Sequence, residues 1–121
     1  MCDGYTSASL LWLYIKNQNP RANLSYVLHT EKQHGLEDQV ERLVNEKYDL
    51  VILPDAGSFD GPYLQQLNEV GTEVAVLDHH SIPADYDMER DTPPNTTIVN
   101  NQLCDYPNKE ICGVGVVYKV C

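Results

Sequence analysis

The stretch Val74-Ala75-Val76-Leu77-Asp78-His79-His80 constrains this chain more than any other. A short apolar run with β-branched residues suits a buried strand, and it stops at three side chains that can all bind a metal. In an open parallel sheet, ligands sit in the crevice beyond the carboxyl ends of the strands. The Asp-His-His triplet falls at that place. The arrangement recurs upstream, where Leu50-Val51-Ile52-Leu53 is closed by Pro54 and followed at once by Asp55. Proline cannot donate to a strand ladder, so it ends the run. If the two strands are neighbours, their terminal acids and imidazoles converge.

The rest of the chain supplies helices between such strands. Thr6 and Ser7 can cap a helix, and Ala8 to Ile15 is almost wholly apolar, which predicts a deeply buried helix ending near Asn17–Pro20. Leu24 to Leu28 reads as a short strand. From Leu36 to Glu46 the apolar residues Leu36, Val40, Leu43 and Val44 fall on one helical face. Pro62 suits a first helical turn and Gly71 a helix end, predicting a helix from Pro62 to about Val70. The polar, proline-containing stretch Ser81 to Asn95 reads as an ordered excursion. Thr96 to Val99 reads as a strand, and Gly113 to Val120 as a helix whose glycines permit close packing. Strands alternating with helices predict an α/β fold, with a mainly parallel sheet flanked by helices. The opening Met1-Cys2-Asp3-Gly4 reads as a strand-to-helix turn with no strand before it.

A chain of 121 residues suits one domain. No run approaches the roughly 18 apolar residues needed to span a bilayer, and no secretory leader is evident, so the expected setting is soluble and cytoplasmic. The four cysteines, Cys2, Cys104, Cys112 and Cys121, lack metal-binding spacing and read as free thiols. The formal net charge of −10 repels a polyanion over long range. Phosphate chemistry here therefore needs borrowed positive charge, from bound divalent ions or from a basic surface on another domain.

Asp3, Asp55, Asp78, His79 and His80 are hard or borderline ligands. Carboxylate mixed with imidazole suits manganese, iron or zinc, whereas carboxylates alone suit magnesium. Two ions about 3.5 to 4 Å apart polarise a phosphoryl group and turn a water into a nucleophile near neutral pH. Each residue alone also has an ordinary reading: an Asp after a strand as a helix cap or turn former, paired histidines as a hydrogen-bonded structural pair.

Asp3-Gly4-Tyr5-Thr6-Ser7-Ala8, Pro54-Asp55-Ala56-Gly57-Ser58 and Leu77-Asp78-His79-His80, in that order and spacing, resemble the first three motifs of the DHH phosphoesterases, most closely the RecJ-type single-strand exonucleases. Gly113 to Lys119 is similar to the glycine-containing helix that follows the third motif in RecJ-like members. The resemblance implies that Asp3 ligates one metal, that Asp55 bridges two ions, and that His79 is a metal-binding imidazole. It further implies that Asp78 is a ligand or the partner that orients one, and that His80 lies near the scissile phosphate. The implied activity is manganese- or magnesium-dependent phosphodiester hydrolysis, removing nucleotides from the 5′ end of single-stranded DNA. Two readings stand beside it: a DHH enzyme that cleaves short oligonucleotides or nucleoside phosphates, and a non-catalytic interaction module that keeps the fold.

The sequence departs from the family pattern at its ends. The first acid of the family's D-x-D-G motif would fall at Met1, the fourth-motif acid beyond Cys121, and the second domain that grips single-stranded DNA has no counterpart. Residues 1–121 are thus expected to be a partial DHH domain lacking its first strand and C-terminal part, with little or no nuclease activity alone. Other candidates are weaker. Asp85, Asp87 and Asp91 lack the glycine and terminal Glu of a calcium loop and read as a solvated acidic loop, and Gly113-Val114-Gly115 lacks the lysine and hydroxyl of a phosphate-binding loop. His29 and His34 read as surface residues near a turn, with a substrate contact open to His34.

Overall fold

The computed structural model describes residues 2–28, 36–103 and 105–121. Three apolar runs form a parallel sheet in the order β1 (Leu50–Pro54), β2 (Glu73–Asp78), β3 (Thr96–Asn100). Val51 pairs with Val74, and Val76 with Ile98, so the carboxyl ends of all three strands lie at one edge. Side chains alternate between faces with period two. Val51, Val74, Val76 and Ile98 join one core with Leu36, Val40, Leu43, Leu64 and Leu67. Leu77 and Ile52 join a second on the opposite face, with Leu10, Leu11, Ile111, Val116 and Val117. Both faces are covered, which is why these strands read as apolar runs rather than as alternating ones.

One face carries α2 (Val40–Glu46) and α3 (Gly61–Glu69). α3 starts with Pro62 in its first turn, buries Leu64 and Leu67 completely, and is followed by Gly71 at φ +87°. Glycine reaches that left-handed conformation without the Cβ penalty other residues meet. α2 is shorter than its apolar periodicity predicts. Residues 36–39 form a turn, in which the Asp60 carboxylate accepts from the Leu36 amide at 2.9 Å and the Leu36 carbonyl accepts from Gln39 and Val40. Leu36 is buried all the same, so the pattern marked the core residues correctly and misplaced the helix start.

The other face carries α1 (Cys2–Gln18) and α5 (Gly113–Val120). α1 begins well before the predicted caps. Thr6 lies inside the helix, its hydroxyl donating back to the Cys2 carbonyl at 2.7 Å, and Ser7 is buried. Nor is α1 deeply buried as its composition predicts. Ser7, Leu10 and Leu11 face the sheet and α5, while Leu13 is 67% exposed and Tyr5 and Tyr14 are also exposed. An all-apolar helix needs neighbours on every side to be buried, and among the described residues α1 has them on one.

The strand expected at Leu24–Leu28 is not seen among the described residues: no described strand pairs with it, and Tyr26 and Leu28 are exposed. Its apolar residues pack locally instead, with Tyr26 edge-on to Trp12 at 5.6 Å between ring centroids. An extended segment becomes a strand only by pairing with another. The Ser81–Asn95 stretch is the ordered excursion predicted and carries the short α4 (Met88–Asp91), capped by the Asp87 carboxylate accepting from the Arg90 amide at 2.9 Å. Asn68 fastens its far end, donating to the Asn95 carbonyl and accepting from the Asn95 amide and the Thr96 hydroxyl. No helix among the described residues is long and apolar enough to cross a membrane.

Candidate metal centre

The carboxyl edge of the sheet collects residues from five elements. Asp55 follows β1, Asp78, His79 and His80 end and follow β2, Asn100 ends β3, Asp3 lies in the first turn of α1, and Gly113 opens α5. The Asp55 amide donates to the Leu77 carbonyl at 2.8 Å, extending the β1–β2 pairing one step past Pro54. There the chain turns sharply. Asp55 has φ +67°, a conformation that Asp tolerates better than most residues, and departures of this kind gather at functional sites.

Asp78 is 1% exposed and its carboxylate is almost fully engaged. Oδ1 accepts from the amides of His79 at 2.8 Å and His80 at 3.3 Å and lies 2.6 Å from His80 Nδ1, while Oδ2 accepts from the Ser58 amide at 3.2 Å. Burial pushes its carboxyl up, but these hydrogen bonds to the charged form more than offset burial and hold it below the usual carboxylate range. A carboxylate at Nδ1 places the proton on that nitrogen and leaves Nε2 of His80 as the free acceptor. Asn100 secures the arrangement from β3, donating to Ser58 Oγ at 3.0 Å and to the His80 carbonyl at 3.1 Å.

Asp55, His79 and His80 each offer a ligand atom within 4.8 Å of the others. His79 Nε2 lies 3.0 Å from Asp55 Oδ1 and 3.6 Å from Asp3 Oδ2, and the two imidazoles stand 4.5 Å apart between ring centroids. Asp55 Oδ1 is buried, and although His79 Nε2 is close, no well-directed hydrogen bond reaches it. Leaving a buried carboxylate oxygen in that state is costly. Burial, and then the neighbouring Asp3 charge, push the Asp55 carboxyl up. A cation shared with His79 would relieve both effects, so the residues present fit a divalent ion of the carboxylate–imidazole class. The ion would supply the local positive charge that a chain of net charge −10 lacks.

Asp3 serves a second purpose. Its carboxylate caps α5, accepting from the Gly113 amide at 2.7 Å and the Val114 amide at 2.8 Å, 110 and 111 residues away in sequence. An acid belongs at such an N-terminus, where unpaired amides and the helix dipole favour negative charge. Asp3 thus caps a distant helix rather than the helix that follows it, while Oδ2 of the same carboxylate lies 3.6 Å from His79 Nε2.

The five residues singled out from sequence meet at this edge, with Asp78 turned into the protein behind the histidines. Ser58, Asn100 and Gly113 were not singled out as site residues. Ser58 adjoins the Asp55 motif, but nothing in the sequence ties Asn100 to His80. The acidic loop behaves as expected of a solvated segment: Asp87 caps α4, Asp91 pairs with Arg90 at 2.7 Å, which holds its carboxyl down to about 2, and the Asp85 carbonyl accepts from Arg90. His29, His34, Met1 and Cys104 lie outside the described residues.

Comparison with known proteins agrees with this geometry. The family described as "DHH family, N-terminal domain" matches residues 2–121. The chain is 41% identical over 120 residues to YorK, the SPbeta prophage-derived protein of Bacillus subtilis (strain 168) whose name proposes a single-strand DNA-specific exonuclease. It is 26% identical over 121 residues to the single-stranded-DNA-specific exonuclease RecJ of Bacillus subtilis (strain 168), and 28% identical over 121 residues to RecJ of Escherichia coli (strain K12). These alignments cover 98%, 98% and 96% of this chain, but only 19%, 15% and 20% of the relatives. The chain therefore spans about a fifth or less of the length of the relatives it matches.

Proposed function

The chain belongs to the DHH family, and we propose that it carries part of the metal site of a phosphodiesterase acting on single-stranded DNA. In this reading Asp3, Asp55 and His79 would hold divalent cations, manganese or magnesium, and the free nitrogen of His80 would be available to the phosphate. When bound, such ions polarise the phosphoryl group and lower the pKa of a water. Of the two roles open to Asp78, the orienting one fits its surroundings. Its oxygens are occupied by Ser58, His79 and His80, so it holds the His80 ring and tautomer rather than a metal.

The single observation that carries this reading is the buried Asp55 Oδ1, 3.0 Å from His79 Nε2 and lacking a directed hydrogen bond. The names of the relatives support single-stranded DNA as the substrate class. Removal of nucleotides from a 5′ end, and service in DNA repair or recombination, belong to the same proposal at the level of the whole protein. The chain's own contribution is to hold ligands on a rigid sheet edge, to fix one imidazole proton at Nδ1, and to exclude water from one side of the Asp55 carboxylate.

The test is thermal unfolding with and without Mn2+. Binding to the folded state alone raises Tm by mass action, about 2.7 kcal/mol of added stability at a hundredfold excess over Kd. The wild-type chain is expected to show the rise and Asp55→Asn to lose it. A rise of equal size in Asp55→Asn contradicts the assignment.

A further inference from the structure

Gly113, the first helical residue of α5, touches two of the three acids of the site, Asp3 and Asp55. Its amide donates to Asp3 Oδ2 at 2.7 Å, with the Val114 amide completing the cap on Oδ1. It also borders Asp55 so closely that a Cβ at position 113 would fall on Asp55 Oδ1, and 2.7 and 2.8 Å from Asp55 Cγ and Cβ. A Cβ at Gly4 would lie 3.4 Å from the other oxygen, Asp55 Oδ2, an ordinary contact. The crowding of the Asp55 carboxylate therefore comes from position 113. A rotamer change cannot relieve the clash at 113, because Asp55 Cβ, fixed by the backbone at φ +67°, is part of it.

Gly115, two residues on, gives the contrast. A Cβ there would meet Ile111 Cγ1 at 2.5 Å and Cδ1 at 3.1 Å, crowding of similar severity against a flexible apolar side chain. A local contact with the segment leading into α5 thus accounts for Gly115 but not for Gly113.

We propose that Gly113 is a positioning residue of the metal site. Its N–H holds Asp3, and its missing side chain keeps the Asp55 carboxylate lodged against the N-terminus of α5. The part concerning metal affinity rests on the reading of Asp3 and Asp55 as ligands, whereas the part concerning Asp55 is testable without any metal.

Two measurements on the 121-residue chain decide it. In a double-mutant cycle read by urea unfolding with chelator present, Gly113→Ala is expected to cost stability when Asp55 is present and to cost little or nothing beside Asp55→Gly, which removes the clashing atoms and suits the positive φ. Equal costs in the two backgrounds overturn the proposal. Should Gly113→Ala fail to fold, the double variant is expected to fold, and its failure while Asp55→Gly alone folds counts against the proposal equally. In Mn2+ titration, Gly113→Ala is expected to weaken binding roughly 10–100-fold, the range for changes to groups that orient metal ligands, while Gly115→Ala leaves binding unchanged. Equal losses in the two variants, or none in either, overturn the positioning role. A wild-type chain that takes up no Mn2+ refutes the metal reading, and the cycle then still decides whether Gly113 holds Asp55.

Discussion

Asp78 and Asp55 end neighbouring strands, yet their surroundings push their titrations in opposite directions. For Asp78, hydrogen bonds from Ser58, His79 and His80 outweigh burial, so the native carboxyl lies below its unfolded value. Its contribution to stability is complete above about pH 4, the unfolded range for Asp, and is lost as pH falls through the lower native value. Asp78→Asn, which turns an NH2 group toward donors, is expected to cost roughly 1.5–3 kcal/mol at neutral pH and to flatten the acid limb of stability measured by urea unfolding. For Asp55, burial and Asp3 raise the native pKa, so folding favours the protonated form and stability falls as pH climbs from the unfolded value through the native one. Asp55→Asn is expected to be more stable than wild type at pH 7 with chelator present, and less stable than wild type in saturating Mn2+. A residue that weakens the empty protein and strengthens the loaded one is what a ligand predicts; were Asp55 purely structural, Asp55→Asn would differ from wild type by the same amount and sign in both conditions. The acids and histidines themselves were legible in sequence, because each stands at the end of an apolar run. The φ of +67° at Asp55 and the Asn100 link to His80 were not, since both arise from strand neighbours that only the folded sheet brings together.

The three strands, α3 and α5 are legible in the sequence, whereas the exposure of α1 and the unpaired state of Leu24–Leu28 are not. β1, β2 and β3 and the helices α3 and α5 stand within a residue or so of their expected bounds, since a buried strand or an apolar helical stripe leaves a periodic signature that tertiary contacts reinforce. α1 was expected to be enclosed because its residues are apolar, but composition says what a helix can bury, not how many layers surround it. Leu24–Leu28 failed for a related reason: its residues favour an extended backbone, and no described strand pairs with it. The difference is measurable. Leu67→Ala, at a fully buried position of α3, is expected to cost about 2–5 kcal/mol, and Leu13→Ala, on the exposed side of α1, to stay within about 0.5 kcal/mol. A comparable loss at Leu13 in urea unfolding would mean that the outer side of α1 is covered in solution.

Across the whole molecule, fold and site have a common origin. A parallel sheet must send every strand out at one edge, and helices covering both faces bring their first turns to that same edge, so acids 3, 55 and 78 meet without being near in sequence. With a net charge of −10, such an edge repels phosphate until cations occupy it. The central claim is therefore that Asp55 and His79 share an ion. Crystals of the chain soaked in MnCl2 and measured at the manganese absorption edge test it directly. The expected result is an anomalous peak within bonding distance of an Asp55 carboxylate oxygen and His79 Nε2. Manganese found only on the Asp85–Asp91 loop, or nowhere on the chain, would contradict it.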